Sequence, residues 1–151
     1  MTDRFDDLAV RQEVEDVVVR LFVATDERDW STLESCLSDP LTLDMTSLTG
    51  GSPIQLPPRE VCTTWAESFA PLDHVHHQVG NFQTHIVGRM ATVNCHGIAF
   101  HYRAKASVAG QCRTFVGAYE IDLTRNSGKW RINRLKFNLK FIEGNRNLED
   151  N

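Results

Sequence analysis

Six histidines are the side chains best placed to do chemistry near neutral pH. His74, His76, His77 and His85 crowd into one stretch, and His96 and His101 follow. Imidazoles either ligate metals or move protons. The residues around them alternate like a β-strand, in which successive side chains point to opposite faces. His74 and His76 therefore share a face that His77 does not, and the run Asp73-His74-Val75-His76-His77 cannot converge on one ion. His74 and His76, with His85 or His96, could in principle bind zinc. Strand-face histidines are more often solvated or interfacial, so no metal is expected. Cys36, Cys62, Cys95 and Cys112 contain no CxxC pair, which excludes a zinc ribbon or thioredoxin-like motif. They read as reduced thiols in a cytoplasmic protein.

The elements around these residues fall into two halves. Phe5 to about Glu27 reads as a helix, with Val14, Val17, Val18, Leu21, Phe22 and Thr25 at helical spacing. Its second half is apolar nearly all round, which predicts cover on most sides. Ser31-Thr32-Leu33-Glu34 has the capping-box pattern of a short second helix, ended by Asp39-Pro40. Leu41 to Met45 alternates as a strand, Thr49 to Pro53 is a loop, and Pro58 opens a helix to about Phe69. Four long strands follow: His74–Val87, Met90–Ser107, Gln111–Arg125 and Lys129–Phe141. Their short, turn-rich links make them antiparallel neighbours. Helices followed by a meander predict α+β: a curved antiparallel or mixed sheet wrapped around N-terminal helices as a cone with an internal pocket. One strand carries Ala91, Val93, Cys95, Gly97, Ala99 and His101 on one face. Those small residues leave room for a hollow that His101 closes. The opposite, bulkier face suits a second subunit.

Length, composition and charge bound the rest. At 151 residues, 41% hydrophobic and 24% charged, the chain suits one domain over 1–151. Its core is expected at about 6–142, with 143–151 a polar, frayed C-terminal tail. A formal charge of −4 is a poor match for a phosphate-tracking surface, so no nucleic acid is expected. The apolar run Val17 to Ala24 is too short for a membrane span, and the polar Met1-Thr2-Asp3-Arg4 predicts no signal peptide.

Three segments carry a family resemblance: Thr25-Asp26-Glu27-Arg28-Asp29-Trp30, His77-Gln78-Val79-Gly80 and Phe100-His101-Tyr102-Arg103. The chain resembles the cone-shaped superfamily of nuclear transport factor 2, SnoaL polyketide cyclase and ketosteroid isomerase, over about Asp6 to Ile142. Within it the likeness is to the scytalone dehydratase group. There, an Asp four residues before a Trp sits in the cone, matching Asp26 before Trp30. A His in a His-x-x-Gly context pairs with it, matching His77 before Gly80. A second His corresponds to His101, 24 residues further on. Scytalone dehydratase also uses two tyrosines to orient a water, and the matching positions here are Thr25 and Met45. Hexachlorocyclohexane dehydrochlorinase, a relative, keeps the Asp–His pair for another elimination.

The resemblance implies catalytic roles for Asp26, His77 and His101, with no metal or organic cofactor. Asp26 would fix the His77 tautomer and stabilise its imidazolium. His77 would take a proton from carbon or activate water, and His101 would protonate a leaving hydroxyl or hold an oxyanion. Phe22, Thr25, Met45, Trp65, Phe69, Phe115 and Tyr119 would line the substrate pocket. Arg103, Arg113, Arg131 and Arg134 read as solvated or inter-strand partners. The expected function is a dehydratase-type lyase or isomerase acting on a small hydrophobic, cyclic hydroxy or carbonyl compound. Such a protein would be a homodimer or homotrimer. The rivals are a non-catalytic small-molecule-binding cone and the small subunit of a ring-hydroxylating dioxygenase assembly.

Overall fold

The computed structural model describes residues 4–150; Met1 to Asp3 and Asn151, the ends of the expected domain, lie outside the described residues. Helix α1 (Arg4–Glu27) is followed by α2 (Trp30–Ser35), β1 (Leu37–Asp44), α3 (Thr46–Thr49), β2 (Ile54–Leu56) and α4 (Pro58–Phe69). Strands β3 (His74–Val87), β4 (Met90–Tyr102), β5 (Cys112–Asn126) and β6 (Lys129–Gly144) then run as a meander, and a 3-10 turn, Leu148–Asp150, closes the chain. The six strands form one open sheet in the order β2-β1-β6-β5-β4-β3. Every pairing is antiparallel except β1 with β6. The α+β cone expected from the sequence is the fold observed. No described helix is long and apolar enough to cross a membrane.

The core lies between α1 and the concave face of the sheet. Val14, Val18 and Leu21 of α1 meet Val93, Ile121, Ile132 and Leu135, all fully or almost fully buried. Each such side chain contributes about 1.5–3 kcal/mol by leaving water. The small-residue face of β4 points inward as its alternation requires, from Ala91 to His101. Gly97 is needed there for space, because a methyl group at that position would overlap the Tyr119 ring.

Several expectations are corrected. Helix α1 is not covered all round, since Val19 and Val23 are exposed. It is packed against the sheet along one face, and the opposite stripe stays outside. The cap of α2 is Asp29, which accepts from the Thr32 N–H (3.1 Å) and hydroxyl (2.6 Å), rather than Ser31. Asp39-Pro40 lies inside β1, at the register shift between Leu37 and Thr42 where a strand tolerates the missing N–H. The three-residue β2 was not expected. The C-terminal tail is docked, not frayed: Leu148 is fully buried and the Asn145 amide donates to Val108 O and Gly110 O, both at 2.9 Å.

Candidate active site

Asp26 owes its position to the way α1 stops. Arg28 takes a left-handed conformation (φ 58°), and the Asp29 and Arg28 N–H groups bond back to Ala24 O (2.8 Å) and Thr25 O (3.1 Å). This is the paired bonding of a Schellman C-cap, with arginine where glycine is usual. The Arg28 guanidinium then donates to Leu72 O (2.6 Å) and Phe69 O (3.1 Å), tying the end of α1 to the end of α4. Arg28 is thus not a partner of Asp26.

The Asp26 carboxylate reaches β3, where both oxygens are taken by one residue. Oδ1 lies 2.6 Å from Nδ1 of His77, and Oδ2 accepts the His77 backbone N–H at 2.7 Å. Two donors offset the unfavourable placement of a carboxylate at the negative end of a helix. A carboxylate can only accept, so Nδ1 carries the proton and the lone pair of His77 sits on Nε2. His76, on the outer face, comes only to 4.0 Å of Asp26 and is 64% exposed.

His101, on β4, is wired with the opposite sense. The Arg113 guanidinium, its cross-strand neighbour on β5, donates to His101 Nδ1 at 2.9 Å. Arginine cannot accept, so Nδ1 holds the lone pair and Nε2 carries the proton. His101 is 9% exposed, and burial, reinforced by the Arg113 charge, lowers its pKa from the ordinary value to about 4. It is therefore neutral at physiological pH. Arg113 is in turn held by Glu149 of the C-terminal turn. That hydrogen bond keeps the Glu149 carboxyl below the usual carboxylate range.

Both imidazoles line one cavity of about 230 Å³. Phe22 and Thr25 come from α1, Met45 from the start of α3, Trp65 and Phe69 from α4, and Phe115 and Tyr119 from β5. All seven expected pocket residues thus lie on its wall. The wall also includes Ala99, from the small-residue face, and Leu48, Thr49, Ser68, Leu135 and Phe137, which the sequence did not single out. Among the described residues no Lys or Arg lines it. The Thr25 hydroxyl is spent on Leu21 O (2.8 Å) within its own helix, and Met45 is apolar. The phenol that reaches the cavity is Tyr119, wedged between Phe22 and Phe137 at centroid distances of 4.8 Å. Burial raises its pKa, which keeps it a donor.

The sequence read Arg113 and Arg103 as solvated or inter-strand partners. Arg113 is an inter-strand partner, opposite His101, and what the sequence missed is the tie of both arginines to the C-terminal turn. The Arg113 side chain is only 12% exposed, and Arg103 donates to Leu148 O and Glu149 O. The register of Arg113 opposite His101 was the available signal. A bulge between Gly80 and Gln83 also shifts the phase of β3, turning His85 outward with His74, His76 and His96. Among the described residues no three His, Cys, Asp or Glu side chains converge as a metal site.

An open sheet curled over helices around a cavity defines the nuclear transport factor 2-like cone. The chain belongs to the SnoaL-like domain family, which matches residues 6–136. Among solved structures, the Kfla4162 protein of Kribbella flavida is similar at 26% identity and a TM-score of 0.87, over 93% of this chain and 97% of that one. A candidate scytalone dehydratase from Novosphingobium aromaticivorans has 13% identity and a TM-score of 0.80, over 93% and 90%. A type 3 hexachlorocyclohexane dehydrochlorinase from Novosphingobium barchaimii has 14% identity and a TM-score of 0.76, over 96% of each chain. No curated protein matches the chain in sequence.

Proposed function

We propose that the chain is a cofactor-independent lyase or isomerase for a small, uncharged, hydrophobic compound bearing a carbonyl and a β-hydroxyl group, with a cyclic skeleton. The observation that carries this reading is one apolar cavity bounded by two imidazoles of opposite polarity. Nε2 of His77 takes a proton from the carbon beside the carbonyl, and the C–H pair becomes an enolate. Nε2–H of His101 donates to the enolate oxygen, while Asp26 holds the His77 imidazolium. The enolate pair then expels the β-hydroxyl, which takes the proton back from His77 and leaves as water. In an unsaturated ketone, returning that proton to the γ-carbon would move the double bond instead. Elimination is also the reaction named for two of the similar structures. That no described Lys or Arg lines the wall supports a neutral substrate.

The test is a panel of cyclic β-hydroxyketones and unsaturated ketones, followed by the absorbance of the conjugated product. His77→Ala is expected to fold and to lose about 10²–10⁴-fold in kcat. Unchanged turnover in that variant counts against the mechanism. Panel compounds that raise the melting temperature of the native chain but are recovered intact would make it a binding protein.

We further propose that the outer sheet face seats a second copy of the chain. Ile98 and Phe100 on β4 and Phe141 on β6 are 38%, 38% and 49% exposed. Ile98 and Phe141 are linked across β5 through Val116. These apolar side chains share one sheet face instead of being scattered singly. Phe100→Asp is expected to reduce an oligomer to monomers in light scattering, and a monomeric native chain at micromolar concentration would refute the idea.

A further inference from the structure

We propose that Arg113 is a positioning residue that holds His101 in one tautomer with Nε2–H directed to the cavity, and that Glu149 of the C-terminal turn anchors Arg113 in that pose. The inference rests on the reading of His101 as an oxyanion donor.

The geometry leaves Arg113 little other use. Its side chain is nearly buried, its Nη2 faces both His101 and Glu149, and its Nη1 donates to Glu149 Oε2 (2.9 Å) and to Arg146 O (3.2 Å). The guanidinium also lies over the Phe115 ring, 5.3 Å from its centroid. It is absent from the cavity wall, so it reaches a substrate by contact only through His101. An imidazole needs such a partner, because its two neutral tautomers are otherwise close in energy and only one presents a donor.

The anchor is built from distant parts of the chain. Leu148 is fully buried, and Arg103 bonds the carbonyls of Leu148 and Glu149. Asn145 ties the same segment to the β4–β5 connection through Val108 O and Gly110 O. These contacts fix the Glu149 backbone, and its carboxylate meets the planar fork of Arg113 with both oxygens.

The charged groups acting on His101 come from four elements. Arg113 on β5 and His77 on β3 disfavour its protonation, whereas Glu149 on the C-terminal turn and Asp26 on α1 favour it. Phe69 of α4 and Phe115 of β5 supply apolar ring contacts at 5.5 and 5.0 Å. Removing Arg113 deletes the fixed cation of this set together with the bond to Nδ1.

The experiment is long-range proton–nitrogen correlation spectroscopy of the full chain labelled with ¹⁵N-histidine, read between pH 8 and 5. In the native chain His101 is expected as a single Nε2–H tautomer that remains neutral at pH 5. In Arg113→Met the single tautomer is expected to give way to a mixture, with the titration midpoint rising by about one unit or more. Arg113→Lys keeps the charge but cannot fork to Glu149 and His101 together, so it is expected to lose the tautomer signature while melting closer to the native chain. A native-like His101 spectrum in Arg113→Lys overturns the proposal, as does an Nδ1–H tautomer in the native chain. His77 is read in the same spectra at pH 8 and is expected there as the Nδ1–H tautomer. Its appearance as Nε2–H would remove the base of the proposed mechanism while leaving the Arg113 assignment intact.

Discussion

Asp26→Asn is expected to lower kcat on a substrate of the panel by about 10²–10⁴-fold and to cost about 1–3 kcal/mol of stability. Both effects follow from the two donors that meet the carboxylate. Oδ1 faces His77 Nδ1 and Oδ2 faces the His77 backbone N–H. An asparagine has one acceptor oxygen and one donor nitrogen. If its oxygen serves the backbone N–H, its amide group donates to Nδ1, which moves the ring proton to Nε2 and destroys the base. If its oxygen serves Nδ1, the amide hydrogens confront the backbone N–H, and a part-buried donor is left unpaired. The imidazolium formed during proton transfer also loses its counter-charge. Urea melts and steady-state kinetics on the same preparation separate the two losses. A variant with native kcat and only the stability loss would make the Asp26–His77 bond a structural tie.

This site was partly legible because its members lie where local patterns are strong. Asp26 and Trp30, His77 and Gly80, and His101 at the end of a small-residue face are short-range signals. Alternation set His77 apart from His74 and His76 and put His101 on the small-residue face, while the family resemblance put His77 in the cone. Some strand boundaries were legible for the same reason: β3 spans the residues expected, and Gly88-Arg89 and Asn126-Ser127-Gly128 mark the β3–β4 and β5–β6 turns. By contrast β4, expected to reach Ser107, stops at Tyr102, and β6, expected to end at Phe141, runs on to Gly144. What escaped is set by tertiary pairing. Arg113 and Glu149 are separated by 36 residues, and nothing in the polar segment after Gly144 says that Leu148 is buried or that an arginine waits for the carboxylate. The bulge after Gly80, which reverses the facing of His85, has no glycine at its left-handed residue, Asn81 (φ 55°). The end of α1 is similar. Its left-handed cap falls on Arg28, and the pull of Phe69 O and Leu72 O on that guanidinium comes from another helix.

The burial of His101 sets the second large effect, an acid weakening of the fold that starts well above the carboxylate range. In the unfolded chain its pKa returns to 6.5, whereas in the folded chain it is about 4. Below pH 6.5 the unfolded state therefore binds the proton that the native state refuses, and stability falls as the pH falls. His101 favours the fold fully above pH 6.5 and loses that contribution progressively down to about 4. The complete loss is about 3 kcal/mol, of which about 2 kcal/mol is gone by pH 5. Glu149 adds to the effect only lower. Its folded pKa is depressed by Arg113, so its contribution persists until the pH falls through the carboxylate range. Urea titrations at pH 7 and pH 5 thus isolate the histidine. Between those values the native chain is expected to lose about 2 kcal/mol more than His101→Gln, which has nothing to protonate there. Equal losses in the two proteins would mean that His101 is protonated in the fold at pH 5. An imidazolium beside Arg113 could no longer accept its hydrogen bond at Nδ1, and the donor assignment at Nε2 would fail with it.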